Sequence, residues 1–266
     1  ESGLQVRSNY LPETRHLELT GQIELYETDS LTFALRDPIR QATAALGAAI
    51  EQAGIELQSG AQVAWSEGYR VGRGCLSGSV RECPNAGPVL TLESPPLSEL
   101  IAGILKPSQN WMTEQLIRTL GAELGEEGSW SEGVAVISEF LTEVVGIDSL
   151  DISLRDGSGL SRYNLVTPRA LVRILQYLSS DQNNGTYRSA LATPGEEDST
   201  LQERLSDLEG RVFAKTGTLS NVTSLSGYLT RDDGSEVIFS ILSNGSGLPS
   251  GQVRGAIDDI VRILAR

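Results

Sequence analysis

The stretch Val212-Phe213-Ala214-Lys215-Thr216-Gly217-Thr218-Leu219 joins an apolar beginning to a short polar motif, Lys-Thr-Gly followed by a hydroxyl residue. Its apolar start favours a β-strand, and a second strand is predicted to begin near Thr223. The motif thus falls on a predicted edge strand, where Gly217 would let a ligand backbone approach the sheet. Lys215 would offer a positive charge to a ligand carboxylate, and Thr216 a hydroxyl donor. The alternative is a lysine that is merely exposed at a strand end.

The chain has one other lysine, Lys106, and it precedes a second motif, Ser108-Gln109-Asn110, between two predicted helices. The hydroxyl of Ser108 can relay a proton, and the amide of Asn110 can hold both a substrate carbonyl and a neighbouring lysine. Serine is also a common helix cap, so Ser108 capping the next helix is the competing interpretation.

A third motif, Asp156-Gly157-Ser158-Gly159-Leu160-Ser161, is predicted to form a loop because glycine and serine dominate it. Asp156 is either a functional residue near a cleft or the start of a tight glycine turn, and the sequence leaves both open. The nearby pair Ser161 and Asn164 is spaced one residue too widely to be the Ser-x-Asn element, so that role is assigned to Ser108 and Asn110.

Hydrophobic periodicity and turn residues divide the remainder into a β-rich start and a mainly helical body. Residues 1–35 are predicted to form short antiparallel strands, and Asp37-Pro38 starts a helix that should stop at Gly54. Further helices are predicted at 97–105, 110–124, 133–145, 167–177 and 255–266, and strands at 211–213, 223–230 and 237–243. This pattern predicts an α/β fold of the α+β type, with an antiparallel sheet flanked by helices and an N-terminal β-rich portion.

The composition excludes several classes of function. The 266 residues carry a formal net charge of −14, which repels phosphate backbones and makes nucleic acid a poor candidate partner. His16 is the sole histidine and is expected at a solvent-facing strand position. A Ser-His-Asp triad would therefore lack its histidine base, and a metal-dependent hydrolase would lack metal ligands. No apolar run approaches the roughly 18 residues of a transmembrane helix, and no transmembrane segment is predicted.

Cys75 and Cys83 are the only cysteines, in a short polar segment between two predicted strands. An even pair closing a short loop suits a disulfide formed in an oxidising compartment. Two free thiols are the alternative, whereas zinc is disfavoured because no third ligand lies nearby.

Together, the motifs at 108–110, 156–161 and 215–217 resemble, in sequence and in order, those of the class C low-molecular-mass penicillin-binding proteins. These are D-alanyl-D-alanine carboxypeptidases and endopeptidases with an active-site serine. The resemblance implies a penicillin-binding, transpeptidase-like fold. Residues 36–266 would be the C-terminal part of the peptidase domain, and residues 1–35 either the end of an inserted domain or the start of that domain.

The resemblance also implies roles for individual residues. Those expected to be catalytic are Ser108, Asn110 and Lys215, and those expected to bind substrate are Thr216, Gly217, Thr218, Asp156 and Ser158. Lys215 and Thr216 would hold the terminal carboxylate of the substrate, and the backbone N–H of Thr218 would form half of an oxyanion hole. The implied ligands are peptidoglycan stem peptides and β-lactams, with no cofactor, in the periplasm or elsewhere outside the cytoplasmic membrane.

The nucleophile motif of that family, Ser-x-x-Lys, does not occur in this sequence. Three residues before the two lysines stand Gly103 and Val212. The expectation is that an N-terminal segment bearing the nucleophile belongs to the complete protein and is its partner in catalysis. Two alternatives are a natural non-catalytic relative that binds wall peptides or another complex, and an unrelated α/β domain with accidental motifs.

Overall fold

The computed structural model describes residues 5–11, 16–22, 38–54, 93–126, 128–180 and 184–266. The chain forms two compact units, residues 1–66 and 67–266. In the first unit, strands β1 (Gln5–Leu11) and β2 (His16–Gln22) pair antiparallel, and helix α1 spans Pro38–Gln52. Gly54, with φ +77°, follows this helix. Within the described residues of this unit, the predicted antiparallel strands and the predicted helix at Pro38 are therefore confirmed.

The second unit contains six further helices among its described residues. They are α2 (Leu97–Leu105), α3 (Asn110–Leu124), α4 (Trp130–Glu139), α5 (Pro168–Ser180), α6 (Asn184–Ala190) and α7 (Ser250–Leu264). A π-helical turn, Phe140–Val144, extends α4. No described helix has the length and apolar character needed to cross a membrane.

Two small strands and one larger sheet complete this unit. Strands β3 (Ile152–Ser153) and β4 (Leu165–Val166) pair antiparallel around the loop that contains the third motif. The larger sheet has the antiparallel order β5 (Val212–Leu219), β6 (Val222–Thr230) and β7 (Glu236–Asn244). Because β5 pairs on one side with β6, the Lys-Thr-Gly motif lies on an edge strand, as the sequence predicts.

Side chains alternate between the two faces of the sheet, and each face packs on different helices. The face that carries Ala214, Leu225 and Phe239 packs against α7 through residues such as Val253 and Ile257. The opposite face carries Phe213, Tyr228 and Ile238, and these pack with Leu105, Leu175, Tyr187 and Leu191 from α2, α5, α6 and the residue that follows α6. The end of α2 is thereby brought to the same side of the sheet as Lys215.

The structure corrects several predicted boundaries. The helix predicted from Gly133 begins at Trp130, because Ser129 caps it and forms a reciprocal capping box with Glu132. The strand predicted at 211–213 continues through the motif to Leu219, and the last helix begins at Ser250 rather than Gly255. Helix α6 was not predicted. The segment with Cys75 and Cys83 and the strands predicted on either side of it lie outside the described residues.

Candidate active site

Lys215 lies where β5 becomes a free edge. The N–H of Ala214 donates to the carbonyl of Ala192 at 2.9 Å, in an isolated bridge on the outer side of β5. Because N–H groups alternate sides along a strand, those of Thr216 and Thr218 point to the same outer side. No described backbone carbonyl accepts from either of them. An extended ligand can therefore pair with this part of the edge.

Ser108 lies just beyond the C-terminus of α2, in a left-handed backbone conformation with φ +64°. The N–H of Gln109 donates back to the carbonyl of Ile104 at 2.9 Å, which is the 6→1 hydrogen bond of a Schellman ending. Ser108 thus occupies the position where glycine is usually found. The N-cap of α3 is Gln109, without a side-chain capping bond, so the interpretation of Ser108 as a helix cap is wrong.

The side chains of Ser108 and Lys215 meet despite their separation in sequence. Lys215 Nζ donates to Ser108 Oγ at 2.9 Å and to the carbonyl oxygen of Thr216 at 2.9 Å. The lysine is half-buried, and burial lowers its pKa from 10.5 to about 8. A lysine of this pKa is partly neutral near physiological pH and can exchange a proton with a neighbouring hydroxyl.

Asn110 is the first residue of α3 and is exposed. Its backbone carbonyl accepts from Thr113 Oγ1 at 2.7 Å. Among the described residues, no hydrogen bond joins its amide to Lys215 or Ser108. The structure thus brings Ser108 and Lys215 into contact and places Asn110 two residues farther along, at the start of the next helix.

Lys106, the second lysine, anchors the end of α2 through an ion pair and a backbone hydrogen bond. Its ammonium group forms an ion pair with Glu196 at 2.5 Å, and its carbonyl accepts from the N–H of Thr200 at 3.0 Å. The segment 193–200 that supplies both partners follows directly on Ala192, which bridges to β5. The backbone that positions Ser108 is thus tied to the same chain segment that flanks Lys215.

The side chains of Thr216 and Thr218 lie on the α7 side of the sheet, opposite that of Lys215. Thr216 pairs in register with Leu225, a buried residue of the core against α7. The side chains of Lys215 and Thr216 therefore approach the free edge from opposite faces. Gly217 pairs with Ser224, and a Cβ at Gly217 would lie 2.4 Å from Ser224 Oγ. Crowding within the sheet is thus a second reason for glycine at this position, besides access for a ligand.

The loop at 156–161 is organised by Asp156 itself. Its carboxylate accepts from the N–H of Gly159 at 2.8 Å, from the N–H of Ser161 at 2.6 Å and from the side chain of Asn164 at 2.6 Å. These bonds support the interpretation of Asp156 as the start of a tight turn.

Glu114 on α3, which belongs to none of the sequence motifs, holds this loop. Its carboxylate accepts from the N–H of Ser158 at 2.9 Å and from the indole of Trp130 at 2.8 Å. Burial raises the pKa of Glu114, but hydrogen bonds from Ser158, Gly157 and Trp130 outweigh burial and leave the pKa below its usual value. A Cβ at Gly157 would lie 2.6 Å from the carbonyl of Thr113, so glycine is needed where the loop touches α3.

Two predicted features lie outside the described atoms. Cys75 and Cys83 fall in residues that the structure does not describe, and their disulfide remains a prediction. The backbone of His16 opens β2, but its side chain is likewise not described. Within the described part of the chain, no group of three or more His, Cys, Asp or Glu side chains is placed to hold a metal ion.

Comparison with known proteins shows which proteins the chain is similar to. A D-alanyl-D-alanine carboxypeptidase of Actinomadura sp. (strain R39) is 38% identical over 173 residues, which are 63% of this chain and 31% of the relative. The D-alanyl-D-alanine carboxypeptidase DacB of Haemophilus influenzae is 30% identical over 61% of this chain and 35% of its own length. The chain therefore spans about a third of the length of these curated relatives.

The fold is also similar to that of a solved penicillin-binding protein. Penicillin-binding protein 4 of Haemophilus influenzae, solved in complex with a β-lactam, superposes with a TM-score of 0.69 at 22% identity. The superposition covers 99% of this chain and 59% of the other. The family model described as D-Ala-D-Ala carboxypeptidase 3 (S13) matches residues 5–266. Since that match takes in nearly the whole chain, the protein belongs to the D-Ala-D-Ala carboxypeptidase 3 (S13) family.

Proposed function

We propose that this chain forms one wall of the active site of a serine-type D-alanyl-D-alanine carboxypeptidase or endopeptidase. Its substrates would be peptidoglycan stem peptides, and β-lactams would react at the same place. The single observation that carries the proposal is the 2.9 Å contact between Lys215 Nζ and Ser108 Oγ, two residues 107 positions apart in the chain.

The pair Ser108 and Lys215 is suited to moving a proton. In its charged form Lys215 donates to Ser108 Oγ, and in its neutral form it can accept the hydroxyl proton. Because burial holds the pKa of Lys215 at about 8, both forms are populated near neutral pH. In the proposed reaction, Ser108 donates its proton to the departing amine of the terminal D-alanine and recovers one from Lys215.

The free edge of β5 is suited to holding the substrate. An extended peptide would pair with the outward N–H groups of Thr216 and Thr218. The N–H of Thr218 would be half of an oxyanion hole that stabilises the tetrahedral intermediate. The substrate carboxylate would lie at this edge between Lys215 and the hydroxyl of Thr216, with Asn110 orienting the substrate amide and the loop of Asp156 and Ser158 beside it.

The proposed nucleophile is a serine outside this chain. The serine hydroxyl of a Ser-x-x-Lys segment would lose its proton to the lysine of that segment and attack the carbonyl carbon. The C–N bond to the terminal D-alanine would break as Ser108 protonates the amine, leaving an acyl-enzyme ester that water would hydrolyse. The other half of the oxyanion hole would come from the N–H of that serine. The proposed location is outside the cytoplasmic membrane, where the substrate is found and where a Cys75–Cys83 disulfide would persist.

Release of D-alanine from a D-alanyl-D-alanine peptide tests this function. The chain preceded by an N-terminal segment bearing Ser-x-x-Lys should release D-alanine, and the chain alone should not. Replacing Lys215 with alanine in the longer protein should reduce kcat/KM by about a hundredfold or more. The charge-conserving change Lys106→Arg, which can keep the ion pair with Glu196, should leave kcat/KM largely intact. Release of D-alanine by the chain alone would show that the nucleophile lies within it.

A second candidate function is binding without catalysis. It is favoured by the absence of Ser-x-x-Lys from this sequence. Such a protein would use the free edge of β5 to hold wall peptides for a partner. Saturable peptide binding by the longer protein without any release of D-alanine would favour this function over the first.

A further inference from the structure

A cavity of about 450 Å³ lies on the α7 side of the sheet, away from Lys215. Its wall on the sheet is a row of three hydroxyl residues in register on adjacent strands, Thr218, Thr223 and Ser243. One row deeper the same face carries Leu225 and Ile241, which belong to the core. The surface therefore changes from apolar to hydrogen-bonding where the cavity begins.

The hydroxyl of Thr223 has no hydrogen-bond partner among the described residues. Thr223 is 3% exposed, yet no described residue forms a hydrogen bond with its side chain. A buried hydroxyl is almost always satisfied by a partner. Because Thr223 lines the cavity, its hydroxyl can bond to water or to a ligand that enters the cavity.

The first turn of α7 closes the cavity from the other side. Pro249 is the N-cap and provides no side-chain capping bond, and the first turn contains no acidic residue. The N–H groups of Gln252 and Val253 both donate to the carbonyl of Pro249, but those of Ser250 and Gly251 have no described backbone acceptor. Free N–H groups at a helix N-terminus attract negative charge.

We propose that this cavity binds a single oxyanion, either a carboxylate or a phosphate group. Serine and threonine hydroxyls and the Asn221 amide can donate hydrogen bonds into it, and the rest of the lining is apolar, from Leu219, Leu248, Pro249 and Val253. Among the described lining residues no carboxylate is present to attract a cation, and no lysine or arginine is present to bind the anion tightly. Affinity in the millimolar range is therefore expected.

The site would lie next to the catalytic edge without being part of it. The hydroxyl of Thr218 lines the cavity, while the N–H of the same residue points to the free edge of β5. An anion in the cavity would thus touch the residue that is proposed to supply half of the oxyanion hole. Binding of the anion does not depend on the proposed peptidase activity, and it can be measured on the chain alone.

Two substitutions remove separate donors and should leave the fold intact. Thr223→Val replaces the buried hydroxyl with a methyl group of nearly the same size. Ser250→Pro removes one N–H at the first helical position, where proline is favoured, and Pro249 already has the extended ψ of 139° that a residue before proline requires. Thr230→Val, at the other end of β6, is the matched control.

The test is a titration of the chain with inorganic phosphate and, separately, with acetate, at constant ionic strength in chloride. Amide resonances at Ser250, Gly251 and Thr223 should shift saturably. Thr223→Val and Ser250→Pro should each weaken binding about tenfold, and Thr230→Val should not. Tighter binding of phosphate would indicate a phosphate ester as the natural ligand, and tighter binding of acetate a carboxylate. No saturable shift with either anion, or wild-type affinity in both donor variants, would overturn the proposal.

Discussion

Ser108 combines a strained backbone with a chemically important side chain. A non-glycine residue in the left-handed region costs roughly 1–2 kcal/mol, and Ser108 has φ +64° at a position where glycine would carry no such cost. Its hydroxyl, however, is the group that meets Lys215. Serine at this position therefore provides the contact with Lys215 at a cost in local backbone stability.

Substitutions at Ser108 should separate these two effects. Ser108→Gly and Ser108→Ala both delete the hydroxyl, but glycine alone relieves the backbone. The free energy of unfolding, measured by urea denaturation, should be about 1 kcal/mol higher for the glycine variant. Equal stability of the two variants would contradict a left-handed Ser108.

Lys215 should make stability depend on pH in an unusual direction. The folded protein releases this proton near pH 8, whereas the unfolded chain keeps it until about pH 10.5. Between these values the unfolded state binds more protons, so the free energy of unfolding rises with pH. Relative to a Lys215→Met variant, which lacks this group, the wild type should gain about 2 kcal/mol between pH 8 and pH 10.

Urea denaturation of both proteins at the two pH values measures this gain. Taking the difference between the two proteins removes the contributions of other groups, such as Tyr187, whose pKa is raised to about 12 by burial. A parallel change in the two proteins would mean that Lys215 titrates at its ordinary pKa.

At the scale of elements, α3 and α4 approach each other closely because glycines face the contact. A Cβ at Gly133 would lie 1.9 Å from the carbonyl oxygen of Ile117, and one at Gly121 would lie 2.8 Å from the carbonyl oxygen of Ser129. This contact also brings Trp130 to Glu114, which holds the loop at 156–161. Packing of two helices thereby helps to position the loop of the third motif.

Glycine-to-alanine changes in two helices should have opposite effects. Gly133→Ala forces α3 and α4 apart and should lower the free energy of unfolding by about 1–3 kcal/mol. A Cβ at Gly103 in α2 would point into open space, so Gly103→Ala should raise the free energy of unfolding by about 0.5–1 kcal/mol. Chemical denaturation measures both, and a neutral Gly133→Ala would contradict the close contact.

The sequence predicted best the elements that carry strong local signals. The bounds of α2 and α3 are confirmed, because apolar periodicity and the proline between them mark their ends. The start of α4 was predicted too late, although Ser129 and Glu132 already formed a recognisable capping box. Helix α6 is short and lacks an apolar stripe, so hydrophobic periodicity does not predict it.

At the scale of the whole molecule, the site depends on contacts between distant segments. The resemblance implies one shared site for Ser108, Asn110 and Lys215. Ser108 and Lys215 are in contact, whereas no described hydrogen bond joins Asn110 to either of them. No local pattern could predict that Glu114 reaches the loop of Ser158, or that Lys106 pairs with Glu196, because tertiary packing creates both contacts. The left-handed conformation of Ser108 could not be predicted either, because serine, unlike glycine, does not indicate such a backbone conformation.

The central claim is that Lys215 and Ser108 serve an acylation reaction whose nucleophile lies in a Ser-x-x-Lys segment outside this chain. The most direct measurement is a denaturing gel after incubation with fluorescent penicillin. The account predicts a covalent band for the chain joined to such a segment, a much weaker band for its Lys215→Ala variant, and no band for the 266-residue chain alone. A covalent band on the chain alone, or equal labelling of the Lys215→Ala variant, would contradict it.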